Sequence, residues 1–203
     1  METWCVLNKS NKQILSKIKE SKSFKIPIND IGYLKPLTYF DIGDDRIINH
    51  LMIWRNNNLD AYLSDDLATF DGTRTWLSKY VLDNPHKILF LACSSDGIPF
   101  GHMGFADGLN ADTLIEMDNI VRGELNCKDG GMILALYELI SWVFIMTNIE
   151  QVYLRVFPDN KRAIKMYENL KFEKKDRHVD CFSYMELSRD DHFGNYNNIM
   201  RIS

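Results

Sequence analysis

Two carboxylates, a histidine, a glycine pair and a tyrosine are the residues of this 203-residue chain whose types and spacing can do chemistry. In the run Asp112 to Val121, alternation with period two puts Glu116, Asp118 and Ile120 on one face of a strand, and Ile115, Met117, Asn119 and Val121 on the other. One face then carries two acids, either as an acid–base site or as the solvent side of the strand. His102, with an ordinary pKa near 6.5, is a second proton acceptor or a bonded structural histidine. Gly130-Gly131 follows a strand and opens the apolar run Met132 to Met146. Backbone N–H groups at such a helix start are free to hold a phosphate, although an ordinary turn into a helix reads the same way. Tyr167 lies seven residues after Asn160, two helical turns on, sharing a face with Ala163 and Ile164.

These residues need elements to hold them. The continuously apolar Ile88 to Cys93 suits a central strand, Ser94 to Gly97 a turn, and Pro99 to Ala106 the returning hairpin partner. Val152 to Phe157 is a second short strand, ahead of a helix that Asn160 caps. The right-handed crossover rule makes the strands around Ile120 and Val152 parallel neighbours, with the Met132 to Met146 helix over one face. Upstream, Ile31 to Thr38 reads as a first strand with Pro36 at an edge or irregularity. A helix starting near Asp41, Gly43 or Asp44 carries Ile47, Ile48, Leu51, Met52 and Trp54. Another runs from Thr73 to Leu82 with Asp71 as candidate cap. The fold class is therefore mixed α/β, of α+β type: a mostly antiparallel central sheet with one parallel pair and flanking helices. Residues 1–30, rich in lysine, read as an N-terminal extension, 31–187 as the domain, and 188–203 as a polar C-terminal tail.

Composition narrows the classes. A net charge of -4 gives no global field for nucleic acid or anionic membrane, so neither is expected as a partner. Met132 to Met146 is too short to span a bilayer, which takes about 20 residues. Cys5, Cys93, Cys127 and Cys181 lack the paired spacing of zinc ligands, so no metal is expected, and a reducing cytoplasm is the natural compartment.

The segment Val156 to Phe172, with Asn160, Ala163 and Tyr167 in register, together with Leu34-Lys-Pro-Leu and Trp54-Arg55-Asn56, resembles the GCN5-related N-acetyltransferase superfamily over roughly Leu34 to Leu187. The order of elements agrees. Two places depart from the family pattern: the pyrophosphate loop keeps only its central glycine, with Cys127 and Met132 at the flanking positions, and Lys171-Phe172 stands where Gly-Phe is usual.

The resemblance implies a splayed parallel strand pair and acetyl-CoA as co-substrate. Its pantetheine would lie along Ile120, Val121 and Arg122, and its diphosphate on Lys128, Asp129, Gly130, Gly131 and Met132, with Asn160 offering its amide. It implies Glu116 as first-ranked general base, Asp118 as second, and Tyr167 as the acid that protonates the departing thiolate. Trp54, Arg55 and His102 would touch the acceptor, a small-molecule amine, with a nucleotide-linked amino sugar preferred over a protein terminus. A homodimer is allowed. The competing expectation is a catalytically silent module that binds CoA or assembles with other chains.

Overall fold

In the computed structural model, residues 11–62, 66–111, 113–124, 130–176 and 181–195 are described. Among the described residues, eight strands form one sheet in the order β1-β2-β3-β4-β5-β6-β8-β7: β1 Ile26–Ile28, β2 Gly32–Pro36, β3 Ile88–Ser94, β4 Pro99–Ala111, β5 Leu114–Arg122, β6 Gln151–Val156, β7 Glu173–Lys175 and β8 Ser183–Ser188. Every pairing is antiparallel except β5 with β6, the pair that the crossover rule makes parallel. The helices are α1 Asn11–Glu20, α2 Asp45–Asn56, α3 Phe70–Thr75, α4 Gly131–Met146, α5 Lys161–Asn169 and α6 Arg189–Gly194.

Alternating side chains split the apolar residues of the sheet into two cores. Phe90, Met103, Ile115, Met117 and Leu154 pack with α1, α4 and α5, while Leu89, Leu91, Cys93 and Val121 pack with α2 and the helical stretch after α3. The α4 run is buried nearly all round, which is why its sequence shows no polar face. Among the described residues, no helix is long and apolar enough to cross a membrane.

Several local expectations shift. The sheet begins before Ile31: β1 supplies buried Ile26 and Ile28, and α1 buries Leu15 and Ile18 in the same core as α4. Pro36 ends β2, where only β3 pairs with it because β1 reaches no farther than Leu34, so its missing N–H interrupts no ladder. Asp44 caps α2 through the Arg46 N–H (3.0 Å), whereas Asp41 is spent on a tight turn, accepting from the Thr38 N–H at 2.8 Å and from Lys35 Nζ at 2.6 Å. The second helix starts at Phe70 under a Thr69 cap and widens into a π-helical segment, Trp76–Leu82. Lys19 of α1 donates to the carbonyls of Val81 (2.9 Å), Leu82 (3.0 Å) and Asn84 (2.5 Å) at the end of that segment, tying the N-terminal helix to the body. Nor is the C-terminal stretch peripheral at its start. His192 on α6 is fully buried, stacks on Tyr137 at 4.3 Å and shares a hydrogen bond with the Ser141 hydroxyl at 2.7 Å.

Candidate active site

The site forms where β5 leaves β6. Their ladder runs only from Leu114 with Gln151 to Glu116 with Tyr153, and beyond it the strands diverge. The cause lies in β5. Asn119 adopts φ 54°, and the β4–β5 register shows two residues of β5, Asn119 and Ile120, opposite the single Met103. This is a β-bulge, and asparagine is among the few non-glycine residues that accept the left-handed conformation. Asp118 holds the bulge from one side, accepting from the Asn119 N–H at 2.7 Å and its Nδ2 at 2.6 Å. His102 holds it from the other, Nδ1 lying 2.7 Å from the Asn119 carbonyl.

The bulge corrects the simple alternation read from sequence. Glu116 and Asp118 do share a face, but Ile120 packs with the core of Ile115 and Met117, and Val121 joins the opposite core. Period two fails because the extra residue inverts the facing of everything after it.

Two joined cavities occupy the parting. The first, about 350 Å³, is lined by Ile120, Val121 and Arg122, by Gly130 to Ile133 at the start of α4, and by Asn160, Ala163, Met166 and Tyr167 of α5. Gly130 sits at φ 78°, a conformation that favours glycine, and turns the chain into α4 so that the first N–H groups of the helix face outward, with no acidic side chain in the first turn. Arg162 and Lys165 stand on the rim. The Asn160 side-chain oxygen accepts from the Ala163 N–H at 3.1 Å, which leaves its amide N–H groups for a ligand. Backbone donors, cations and an apolar wall of Ile120, Met132 and Met166 suit a diphosphate followed by a pantetheine arm. Lys128 and Asp129, also expected here, lie outside the described residues.

Met132, the departure from the family pattern, has a local explanation. A Cβ on Gly101 of β4 would lie 2.7 Å from Met132 Sδ and 2.6 Å from the Val121 carbonyl oxygen. The larger side chain on α4 is accommodated by the missing one on β4.

The second cavity, about 250 Å³, lies between Tyr62, Glu116, Asp118, Arg155, Phe157 and Phe182, and shares Ala61, Ile120, Val121, Asn160, Ala163 and Tyr167 with the first. Tyr167 is buried, and its phenol is held well above its ordinary pKa, first by burial and then by the charge of Asp118. It therefore stays protonated and can donate. Asp118 raises Tyr62 as well, after burial, which pushes it up to about 12 against an opposing contribution from Arg55. Glu116 is buried and both its oxygens are engaged, one by Arg155 Nε at 2.6 Å and the other by the Tyr153 hydroxyl at 3.2 Å. Burial, then Glu116, raises Tyr153 to about 12.

The three residues expected at the acceptor sit behind this wall, and none lines either cavity. Trp54 is buried, with its ring centroid 5.1 Å from that of His50 and 6.0 Å from that of His102, and Nε1 donates to Glu124 at 3.0 Å. Gly123 fits only because it has no side chain, since a Cβ there would stand 2.0 Å from the Trp54 ring. His102 is buried and its pKa is lowered to about 4 by burial, opposed by the Asn119 carbonyl. Near neutrality it is uncharged, with its proton on Nδ1 facing that carbonyl. Arg55 lies 3.8 Å over the Tyr62 ring and so supports a wall residue. Tyr62, Arg155, Phe157 and Phe182 were not singled out from sequence. The one available signal was alternation in Val152 to Phe157, which puts Tyr153, Arg155 and Phe157 on one face. Among the described residues, no group of three His, Cys, Asp or Glu stands together as metal ligands.

Solved structures with this fold include the apo form of FdhC, described as a nucleotide-linked sugar GNAT (16% identity, TM-score 0.71, covering 88% of this chain and 98% of that one). The N-acetyltransferase PseH of Campylobacter jejuni is 20% identical (TM-score 0.57, 77% and 96% covered), and the spermidine N-acetyltransferase of Vibrio cholerae, solved with CoA and spermine, is 18% identical (TM-score 0.63, 79% and 96%). No curated protein matches by sequence. The acetyltransferase (GNAT) domain model matches residues 46–192, which span the parted strands, both cavities and the helices that line them. The chain thus belongs to the GNAT acetyltransferase domain family, and it is an acetyl-CoA-dependent acyltransferase.

Proposed function

We propose that this chain transfers an acetyl group from acetyl-CoA to a primary amine of a small molecule, with a nucleotide-linked amino sugar as the favoured acceptor. The observation that carries the reading is the junction of the two cavities, where Tyr167 and the charge of Asp118 meet between a helix start fit for phosphates and a cleft lined by carboxylates. Acetyl-CoA supplies an acetyl thioester. The α4 amides, Arg122, Arg162, Lys165 and Asn160 would hold its phosphates and amides, while Ile120, Met132 and Met166 exclude water from the arm.

The acceptor arrives as an ammonium ion and must lose a proton to attack. The family resemblance ranks Glu116 first for this work, yet its oxygens already serve Arg155 and Tyr153. Asp118, oriented by the Asn119 backbone and side chain, is the better-placed acceptor of that proton, directly or through a water. Glu116 then acts in positioning, by fixing Arg155 beside the cleft. The Tyr167 phenol, kept protonated, gives its proton to the departing sulfur.

Calorimetric titration with acetyl-CoA, followed by mass-spectrometric screening of nucleotide amino sugars, polyamines and peptides, tests the reading. A micromolar or tighter Kd and a product 42 Da heavier than one amine support it. Failure of acetyl-CoA to bind overturns it.

A further inference from the structure

We propose that the acceptor cleft ends in a platform for a nucleobase, built from Phe157 and Phe182, with Arg155 placed to meet an anionic phosphate between base and amine. The two phenylalanines flank the last β6–β8 pair, Val156 with Ser183, so they face each other across the strands. Their ring centroids are 4.7 Å apart at 35°, which makes one continuous aromatic surface. Both line the second cavity, and neither is fully buried.

Arg155 connects this surface to the carboxylate end. Its Nε is 2.6 Å from Glu116, its guanidinium carbon is 5.5 Å from the Phe182 ring centroid, and 40% of its side chain is exposed. Cross-strand registry puts Tyr153 and Arg155 of β6 on the same face as Glu186 and Tyr184 of β8, and Phe157 and Phe182 continue that alternation just beyond the ladder. The opposite face is apolar and buried against α4. No residue of β6 or β8 joins the core under α2, so among the described residues this half of the sheet is left uncovered beside the cavity.

One cavity thus offers a carboxylate, Asp118, a cation, Arg155, and an aromatic surface, Phe157 with Phe182, which together suit an amine, an anion and a flat ring. A free hexosamine or a polyamine carries no planar base to stack on the aromatic surface and no anion for Arg155 to meet. A nucleoside diphosphate joined to an amino sugar satisfies all three, because every base has a π face and aromatic stacking tolerates base identity.

The inference rests on the acetyltransferase reading only for the direction in which the amine points. Its test is direct binding to the full chain. With CoA present at saturation to fill the cofactor cleft, UDP, dTDP, glucosamine and inorganic pyrophosphate are titrated separately by calorimetry. UDP and dTDP should bind at least tenfold more tightly than pyrophosphate or glucosamine. Phe182→Leu, which keeps an apolar side chain without a π face, should weaken UDP about tenfold, and Phe182→Tyr should restore it. Equal binding of UDP and pyrophosphate, or Phe182→Leu indistinguishable from wild type with the same thermal midpoint, overturns the platform. If acetyl-CoA and CoA fail to bind at all, the enzyme reading falls instead, and the UDP titration repeated without CoA still decides the platform.

Discussion

His102 Nδ1 lies 2.7 Å from the carbonyl oxygen of Asn119, the residue whose left-handed backbone makes β5 bulge. A neutral imidazole in the interior thus fastens the irregularity beside which β5 parts from β6. Asn119→Gly should keep the bulge and retain most activity, since glycine accepts φ 54° without strain. Asn119→Val, β-branched, should cost on the order of 1–3 kcal/mol and lower acetyl-CoA affinity as well, because Ile120 and Val121 would be misplaced. Chemical denaturation combined with calorimetry separates the two effects.

The same histidine gives stability a pH dependence. Burial lowers both His102 and His192 to about 4, whereas the unfolded chain takes up these protons near 6.5. Stability is therefore intact above pH 6.5 and falls progressively as pH drops toward 4, by roughly 3 kcal/mol per histidine at the lower end. Urea midpoints measured from pH 7.5 to 4.5 should fall along this course, and His102→Gln should flatten part of it.

Removing the phenolic hydroxyl tests the proton donor. Tyr167→Phe keeps the ring that packs beside Phe172 at 5.8 Å and should leave the fold and acetyl-CoA binding unchanged. Its kcat should drop by about 10²–10⁴-fold.

The two carboxylates should separate by kinetic signature. Asp118→Asn should depress kcat strongly. Glu116→Gln loses the charge facing Arg155 and should raise the acceptor KM with a smaller effect on kcat. The reverse pattern would return the role of base to Glu116.

Gly123→Ala tests the packing behind the cleft. The new methyl would stand 2.0 Å from the Trp54 ring, which is held between His50 and His102. A loss of about 3 kcal/mol is expected, read as a lower thermal midpoint.

Strands and helices with clean patterns were legible in the sequence. Ile88 to Cys93 is a central strand, the run after Gly131 a buried helix, and Asn160 does cap α5. What escaped were features set by tertiary contact. The Asn119 bulge is invisible to a period-two reading, because asparagine tolerates the left-handed region without demanding it. Trp54 and His102 carry groups that suit a ligand, but their rings serve each other, and Tyr62 and Phe182 enter the cleft from loops with no periodicity to mark them. His192 hid in a polar stretch because it is the one residue of α6 that is buried.

The sheet ends in three-residue strands on both sides, β1 and β7. Among the described residues, each outer margin offers another molecule a few unpaired backbone groups, a short template for strand-by-strand growth into aggregates.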